Sequence, residues 1–315
     1  MVIKMIDIFV TVIDNYGDAG YTIRLASALQ KTYQQKVRVI TDYKKIFYDI
    51  NDEIDFEILE IKDITNYRSS EKIVFMFQYF PNEDYIKIIN KYSKICVTID
   101  YFTPEKWAIN SNNTMSYHHG LNIKNTFLVP GLYKETAGIL NYSFFTSKIK
   151  GYHNVYMYTP EKVNFLNDPI TLWGKKIKKE NIKNMDISPQ RIFDNYIYGA
   201  KYNWIRGEDS LQLALNSGIP FFWEAYKQKN QIHHLKVEAF LHFIKSFFEE
   251  EYLYNSYSLM IKYLNDYKIK QSIIQEYKNI DKNYNSLQKT FKKLKNYFQI
   301  TSSLQENLIQ KLEII

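Results

Sequence analysis

The sequence predicts an α/β chain of two Rossmann-like domains in tandem, closed by a helical C-terminal segment. Three observations predict it. Short apolar runs rich in Val, Ile, Phe and Tyr recur along the chain, helix-period segments separate several of them, and the alternation starts afresh past residue 150. A length of 315 residues also exceeds what one core usually supports, so two domains are expected. Hydrophobic residues make up 45% and charged residues 24%, with 28 Tyr and 20 Phe, a composition that excludes long disordered stretches.

Taken in order, IKMIDIFVTVI, KVRVIT, DFEILEI, KIVFMFQYF and KICVTIDYF read as buried strands of a parallel sheet. Between them, YTIRLASALQKTY (Tyr21–Tyr33) and EDYIKIINKY (Glu83–Tyr92) have helical spacing, and NTFLVPG (Asn125–Gly131) reads as the last strand of the first domain. The polar stretch from Asn141 to Asn154 is the expected linker. Strands follow at NVYMYT, PITLWG, NIKNMDI, NWIRG and PFFWEA, with a helix at PQRIFDNYIYGAKY (Pro189–Tyr202). From about Ile232 the pattern is helical. Asn285–Phe298 carries Leu287, Phe291, Leu294 and Phe298 on one face and lysines on the other, which reads as a packed helix with a solvated face rather than a nucleic-acid stripe. The basic run Gly174–Lys183 is read the same way. The expected domains are residues 1–148, residues 149–300, and a C-terminal helix over 301–315 that packs back on the first domain.

Cys96 is the only cysteine, which excludes an intrachain disulfide or a Cys-based metal cluster and suits a reducing, cytoplasmic compartment. Lys4 and Asp7 interrupt the apolar N-terminus, so neither a signal peptide nor a membrane span is expected. A formal net charge of +7 points to an acidic partner.

Two turns carry the chemistry. VIDNYGDAG (Val12–Gly20) follows the first strand, where doubly wound folds bind ligands, and sets Asp14 and Asp18 around a bend at Gly17. Asp42 follows the second strand, but only Gly17 and Gly20 of a GxGxxG pattern are present, which argues against a dinucleotide site. No further ligand accompanies the two aspartates, which argues against a metal; a helix cap or catalysis remains. The second turn, Arg206-Gly207-Glu208-Asp209-Ser210, lies between a strand and a helix expected to begin near Asp209. Backbone N–H groups there, with the helix dipole and an arginine, form an anion site of the kind that holds a diphosphate. In two facing domains, a carboxylate pair would meet a diphosphate cradle, the arrangement of a GT-B sugar-nucleotide transferase.

These residues resemble the EarP family, protein-arginine rhamnosyltransferases that act on translation elongation factor P (EF-P). The resemblance lies in VIDNYGDAG with YTIRLASAL, in SPQRIFDNYIYGAKYNWIRGEDS and in SGIPFFWEAYKQKNQIHHLKVEAF, with weaker similarity through TIDYFTPE and PGLYKETAGIL. It implies a GT-B fold, a dTDP-β-L-rhamnose donor, inverting transfer to an arginine of EF-P, no cofactor and no metal. By the same motifs Asp14 and Asp18 fall on the family's essential aspartates, Asp18 as general base. Arg206, Glu208, Asp209 and Ser210 fall on its donor-binding motif, Gln190 and Phe193 on the segment that receives the thymine, and Tyr158 on a tyrosine that touches the donor phosphate. His233 and Lys236 lie in a matching segment, where a structural histidine at a helix start is the competing reading, and Arg24 is read as a local ion-pair partner. The segment Gly151–Gln190 is compressed against the family pattern. The competing classes are a dTDP-sugar transferase with another sugar or acceptor and a basic nucleic-acid-binding protein, which sharp salt dependence would mark.

Overall fold

The computed structural model describes residues 5–13, 16–63, 67–77, 79–118, 120–141 and 150–313. The chain divides into two compact units: residues 1–102, 107–142 and 302–315 form the first, and residues 103–106 and 143–301 the second.

Unit 1 is a seven-stranded sheet of β1 (Ile6–Val10), β2 (Val37–Thr41), β3 (Glu57–Glu60), β4 (Lys72–Met76), β5 (Ile95–Ile99), β6 (Met115–Tyr117) and β7 (Lys124–Leu128). Its order is β3-β2-β1-β4-β5-β7-β6, and only β6 runs antiparallel, on β7. The apolar runs of the first half supply every strand except β6, whose three residues are all exposed and give no hydrophobic signal. β1 is buried on both faces. Ile6, Ile8 and Val10 point to a core shared with helix α1 (Tyr16–Tyr33), while Phe9 points to a cluster with Tyr67, Phe75, Tyr79 and Tyr85.

Asp7 lies on the Phe9 face, opposite Arg38 in register on β2. Its Oδ1 accepts from Arg38 Nε at 2.9 Å, and its Oδ2 accepts from Arg38 Nη2 (2.9 Å), the Tyr67 hydroxyl (2.8 Å) and the Ser70 amide (2.9 Å). A buried carboxylate this fully paired is a structural group. Helices α2 (Lys44–Ile50), which the sequence reading did not predict, and α3 (Glu83–Tyr92) complete the connections, α3 capped by Asn82 Oδ1 on the Tyr85 amide at 3.0 Å. A short helix α4 (Trp107–Ser111) precedes β6.

Unit 2 carries an all-parallel sheet of β8 (Gly151–Val155), β9 (Ile170–Trp173), β10 (Ile182–Met185), β11 (Ala200–Arg206) and β12 (Phe221–Glu224), ordered β10-β9-β8-β11-β12. The bounds of the linker and of the helix before β11 differ from the sequence reading. Of the expected linker, residues 142–149 lie outside the described residues and Gly151–Asn154 are strand, so Tyr156–Thr159 form a loop beyond the strand end. The helix expected to reach Tyr202 is α5 (Gln190–Gly199), because Ala200 already pairs with β8.

Helices α6 (Gly207–Ser217), α7 (His233–Lys245), α8 (Glu251–Leu264), α9 (Ile273–Lys282) and α10 (Tyr284–Ile300) complete unit 2. Leu287, Phe291, Leu294 and Phe298 are all buried, so the lysine-rich α10 is a packed helix.

His153 sits in this core. Its Nδ1 accepts from Trp204 Nε1 at 3.2 Å, which leaves the proton of the neutral ring on Nε2, 3.4 Å from the Tyr277 hydroxyl. Burial is the main cause that pushes its pKa down from 6.5 to about 4. Between those values the unfolded chain binds a proton that the folded chain refuses, so stability rises with pH through the window and is lost as pH falls through it. The loss should reach about 3 kcal/mol, and His153→Phe should flatten that part of a pH-resolved denaturation series.

The final helix, α11 (Leu304–Glu313), packs on β5, β7 and α1 of unit 1, burying Leu304, Leu308 and Leu312. Its docking requires Gly138. That residue has φ +75°, and an added Cβ would collide with the Ser302 carbonyl oxygen. Gly138→Ala is therefore expected to cost about 2 kcal/mol or more in chemical denaturation.

Candidate functional site

In both sheets the strand order reverses beside the first strand of the unit, at β1–β4 and at β8–β11. Connections leaving the C-terminal ends of such strands diverge and open a crevice. Both predicted turns lie there.

In unit 1 the chain leaves β1 through Thr11–Ile13 and enters α1 at Tyr16, earlier than the expected start at Tyr21. Gly17 and Gly20 are helical, not a bend, so Asp18 lies in the first helical turn. Its carboxylate is buried and reaches back out of the helix: Oδ2 accepts from the Ile13 amide at 2.8 Å, and Oδ1 lies 3.5 Å from the Tyr101 hydroxyl. Tyr101, just beyond β5, stacks on Phe77 with centroids 4.5 Å apart. Asp42 Oδ1 accepts from the Val12 amide at 3.0 Å, so the acidic residue that a dinucleotide site would use for ribose instead fixes the loop. Asp14 lies outside the described residues. Arg24 is half-buried on α1.

In unit 2 the helix after β11 begins at Gly207, two residues before the expected start near Asp209, with φ +66° at that glycine. Glu208, Asp209 and Ser210 occupy the first turn of α6. Arg206 is the N-cap residue, but its side chain makes no capping hydrogen bond. It turns instead to two aromatic rings. The Arg206 Cζ is 4.2 Å from the Tyr156 centroid and 4.6 Å from the Tyr158 centroid, and its Nη2 donates to the Tyr156 hydroxyl at 3.0 Å. A guanidinium at a helix N-terminus holds two sources of positive potential together.

The loop that carries both tyrosines is held by Glu224 at the end of β12. Its fully buried carboxylate accepts from the amides of Tyr158 (2.8 Å) and Thr159 (3.1 Å) and from the Thr159 hydroxyl (2.8 Å). Glu208 is half-buried and ion-paired. Lys236 on α7 donates to its Oε1 at 2.6 Å, which offsets the repulsion that an acidic first turn would exert on a phosphate. His233 is buried, with the Gln228 amide 3.3 Å from its Nδ1, and desolvation, with His234 nearby, lowers its pKa, as befits a neutral structural ring.

Phe193 packs edge-on against Tyr156 and Trp173, with centroids 5.2 Å away in each case, so it joins the arginine site through Tyr156. Gln190 stays in the first turn of the same helix, half-buried. The structure thus gathers Arg206, Glu208, Asp209, Ser210, Tyr158 and Phe193 around one strand end. The sequence reading missed Tyr156, Glu224 and Tyr101. A usable signal existed for the first: Tyr156 and Tyr158 are two apart beyond a strand and so share a side of an extended chain. Among the described residues, no three His, Cys, Asp or Glu side chains group as metal ligands.

Two doubly wound α/β units in tandem, with Asp18 in the helix turn after the first strand of one and Arg206 at a helix N-terminus of the other, have the architecture of a glycosyltransferase of the GT-B class. The solved structure of VinC, a "glycosyltransferase VinC in complex with DTDP", superposes with TM-score 0.58 over 98% of this chain and 100% of that one, at 8% identity. A solved EarP, described for "EarP-mediated arginine glycosylation of translation elongation factor EF-P", superposes with TM-score 0.57 over 96% and 97% of the two chains, at 15% identity. Residues 6–155 and 159–313 match the family profile "Elongation-Factor P (EF-P) rhamnosyltransferase EarP". The chain belongs to the EarP family. A protein-arginine rhamnosyltransferase of Shewanella oneidensis is 21% identical, over 75% of this chain and 79% of its own, and one of Neisseria meningitidis is 40% identical over a 63-residue segment that is 20% of this chain and 16% of its own.

Proposed function

We propose that the protein transfers L-rhamnose from dTDP-β-L-rhamnose to an arginine side chain of EF-P, with inversion at the anomeric carbon. The observation that carries this reading is the profile match to EF-P rhamnosyltransferases over residues 6–155 and 159–313. The two turns give it a physical basis. Arg206 and the first turn of α6 bind the diphosphate, Tyr158 contacts it, and Glu208 and Asp209 bind ribose hydroxyls. Gln190 and Phe193 form the side that receives the thymine. Ser210 contributes its amide and hydroxyl to the leaving phosphate.

The acceptor sets the chemical problem. A guanidinium with a pKa of ~12.5 is deprotonated at neutral pH only at a cost of roughly 7 kcal/mol, so a carboxylate cannot strip it in advance. Asp14 and Asp18 orient the guanidinium instead. As the C–N bond forms and the anomeric C–O bond breaks, the attacking nitrogen becomes acidic and Asp18 takes its proton late. The electron pair of the broken bond leaves on the diphosphate, where Arg206 and the α6 N-terminus offset the growing charge. These two groups do the work that a metal does elsewhere, so turnover is expected to survive EDTA.

The net charge of +7 fits an acidic protein partner, and the single buried cysteine suits the cytoplasm. Among the described residues no helix is long and apolar enough to cross a membrane. The donor assignment is tested by calorimetric titration with dTDP and UDP. Tighter binding of dTDP supports the reading, and preference for UDP contradicts it.

A further inference from the structure

We propose that Tyr156 is a positioning residue that presets the Arg206 guanidinium for the donor's diphosphate. This rests on reading Arg206 as the diphosphate ligand. A free arginine side chain carries rotamer entropy that an incoming anion would have to freeze. Here that freedom is already restricted. The Tyr156 ring stacks under the guanidinium at 4.2 Å, and its hydroxyl accepts from Nη2 at 3.0 Å. The hydroxyl occupies one of the five N–H donors of the guanidinium, which fixes the rotation of the fork and aims the remaining donors.

Tyr156 is itself braced from behind. Phe193 meets its ring edge-on, Trp173 meets Phe193 in the same way, and Trp173 Nε1 donates to the buried Asn154 Oδ1 at 2.7 Å. Asn154 Nδ2 in turn donates to Asn203 Oδ1 at 2.9 Å, across paired strands β8 and β11. A rigid sheet contact is thereby transmitted through three aromatic rings to the cation. Phe193 acts in this brace as well as on the thymine side.

The test compares dTDP with thymidine, which lacks the diphosphate, by calorimetric or competition titration of the full chain. Tyr156→Phe, which keeps the ring against Phe193 and loses only the hydroxyl, is expected to weaken dTDP about threefold with thymidine affinity unchanged, and Tyr156→Leu, which also loosens Phe193, to weaken dTDP about tenfold more than it weakens thymidine. Equal weakening of both ligands would overturn the inference, because a purely structural or base-stacking role moves both together. No weakening of either would overturn it too. If Tyr156→Leu does not fold, the selective loss in Tyr156→Phe decides. Arg206→Ala separates the two levels: if it leaves the dTDP-to-thymidine ratio at the wild-type value, the diphosphate reading fails, and the inference with it. If only Arg206→Ala lowers the ratio, the inference alone fails.

Discussion

Asp18→Asn is expected to lower kcat by about a thousandfold while dTDP affinity stays within about twofold of the wild type. The amide nearly matches the carboxylate in shape and keeps an oxygen for the Ile13 amide, which now binds at 2.8 Å, so the first turn of α1 should persist. What disappears is the negative charge that orients a guanidinium and the base that takes its proton. Single-turnover kinetics with saturating donor isolate that step from binding. Unchanged turnover would remove Asp18 from the chemistry and leave it as the group that closes the loop from Ile13 to α1.

Arg206→Ala is expected to weaken dTDP about a hundredfold, or roughly 3 kcal/mol, since a charge-assisted contact to a diphosphate is lost from a half-buried site. Arg206→Lys should recover little of it. A lysine cannot stack its head group between Tyr156 and Tyr158 as the guanidinium does, nor offer a planar fork to a phosphate. The melting temperature should change little in either variant, because the buried core of unit 2 lies behind this strand end. Undiminished dTDP binding in Arg206→Ala would locate the diphosphate elsewhere.

Much of the fold was legible because a parallel sheet buries its strands on both faces. Ten of the eleven runs read as strands contain one, the run NVYMYT supplies only the last two residues of β8 and is otherwise loop, and β6 escaped because an exposed three-residue edge has no apolar signature. The start of α1 was obscured by Gly17 and Gly20, which cost roughly 1 kcal/mol each in a helix and were overridden by packing at the end of β1. The positions of the two turns were legible from the strand–turn–helix pattern. The partners of their side chains were not: Tyr156, Lys236 and Glu224 come from other segments, and each taken alone reads as ordinary core or surface. Local periodicity carries no information on such contacts, just as it gives no hint that Gly138 must remain bare for the chain at Ser302 to pass.

The proposed reaction moves a deoxyhexose onto an arginine of EF-P. Its most direct test is the intact mass of the host's EF-P after incubation with the enzyme and dTDP-β-L-rhamnose, followed by fragmentation to find the modified residue. The expected result is a gain of one deoxyhexose on a single arginine, absent with Asp18→Asn. An unmodified EF-P, with the donor bound and intact or merely hydrolysed, would contradict it.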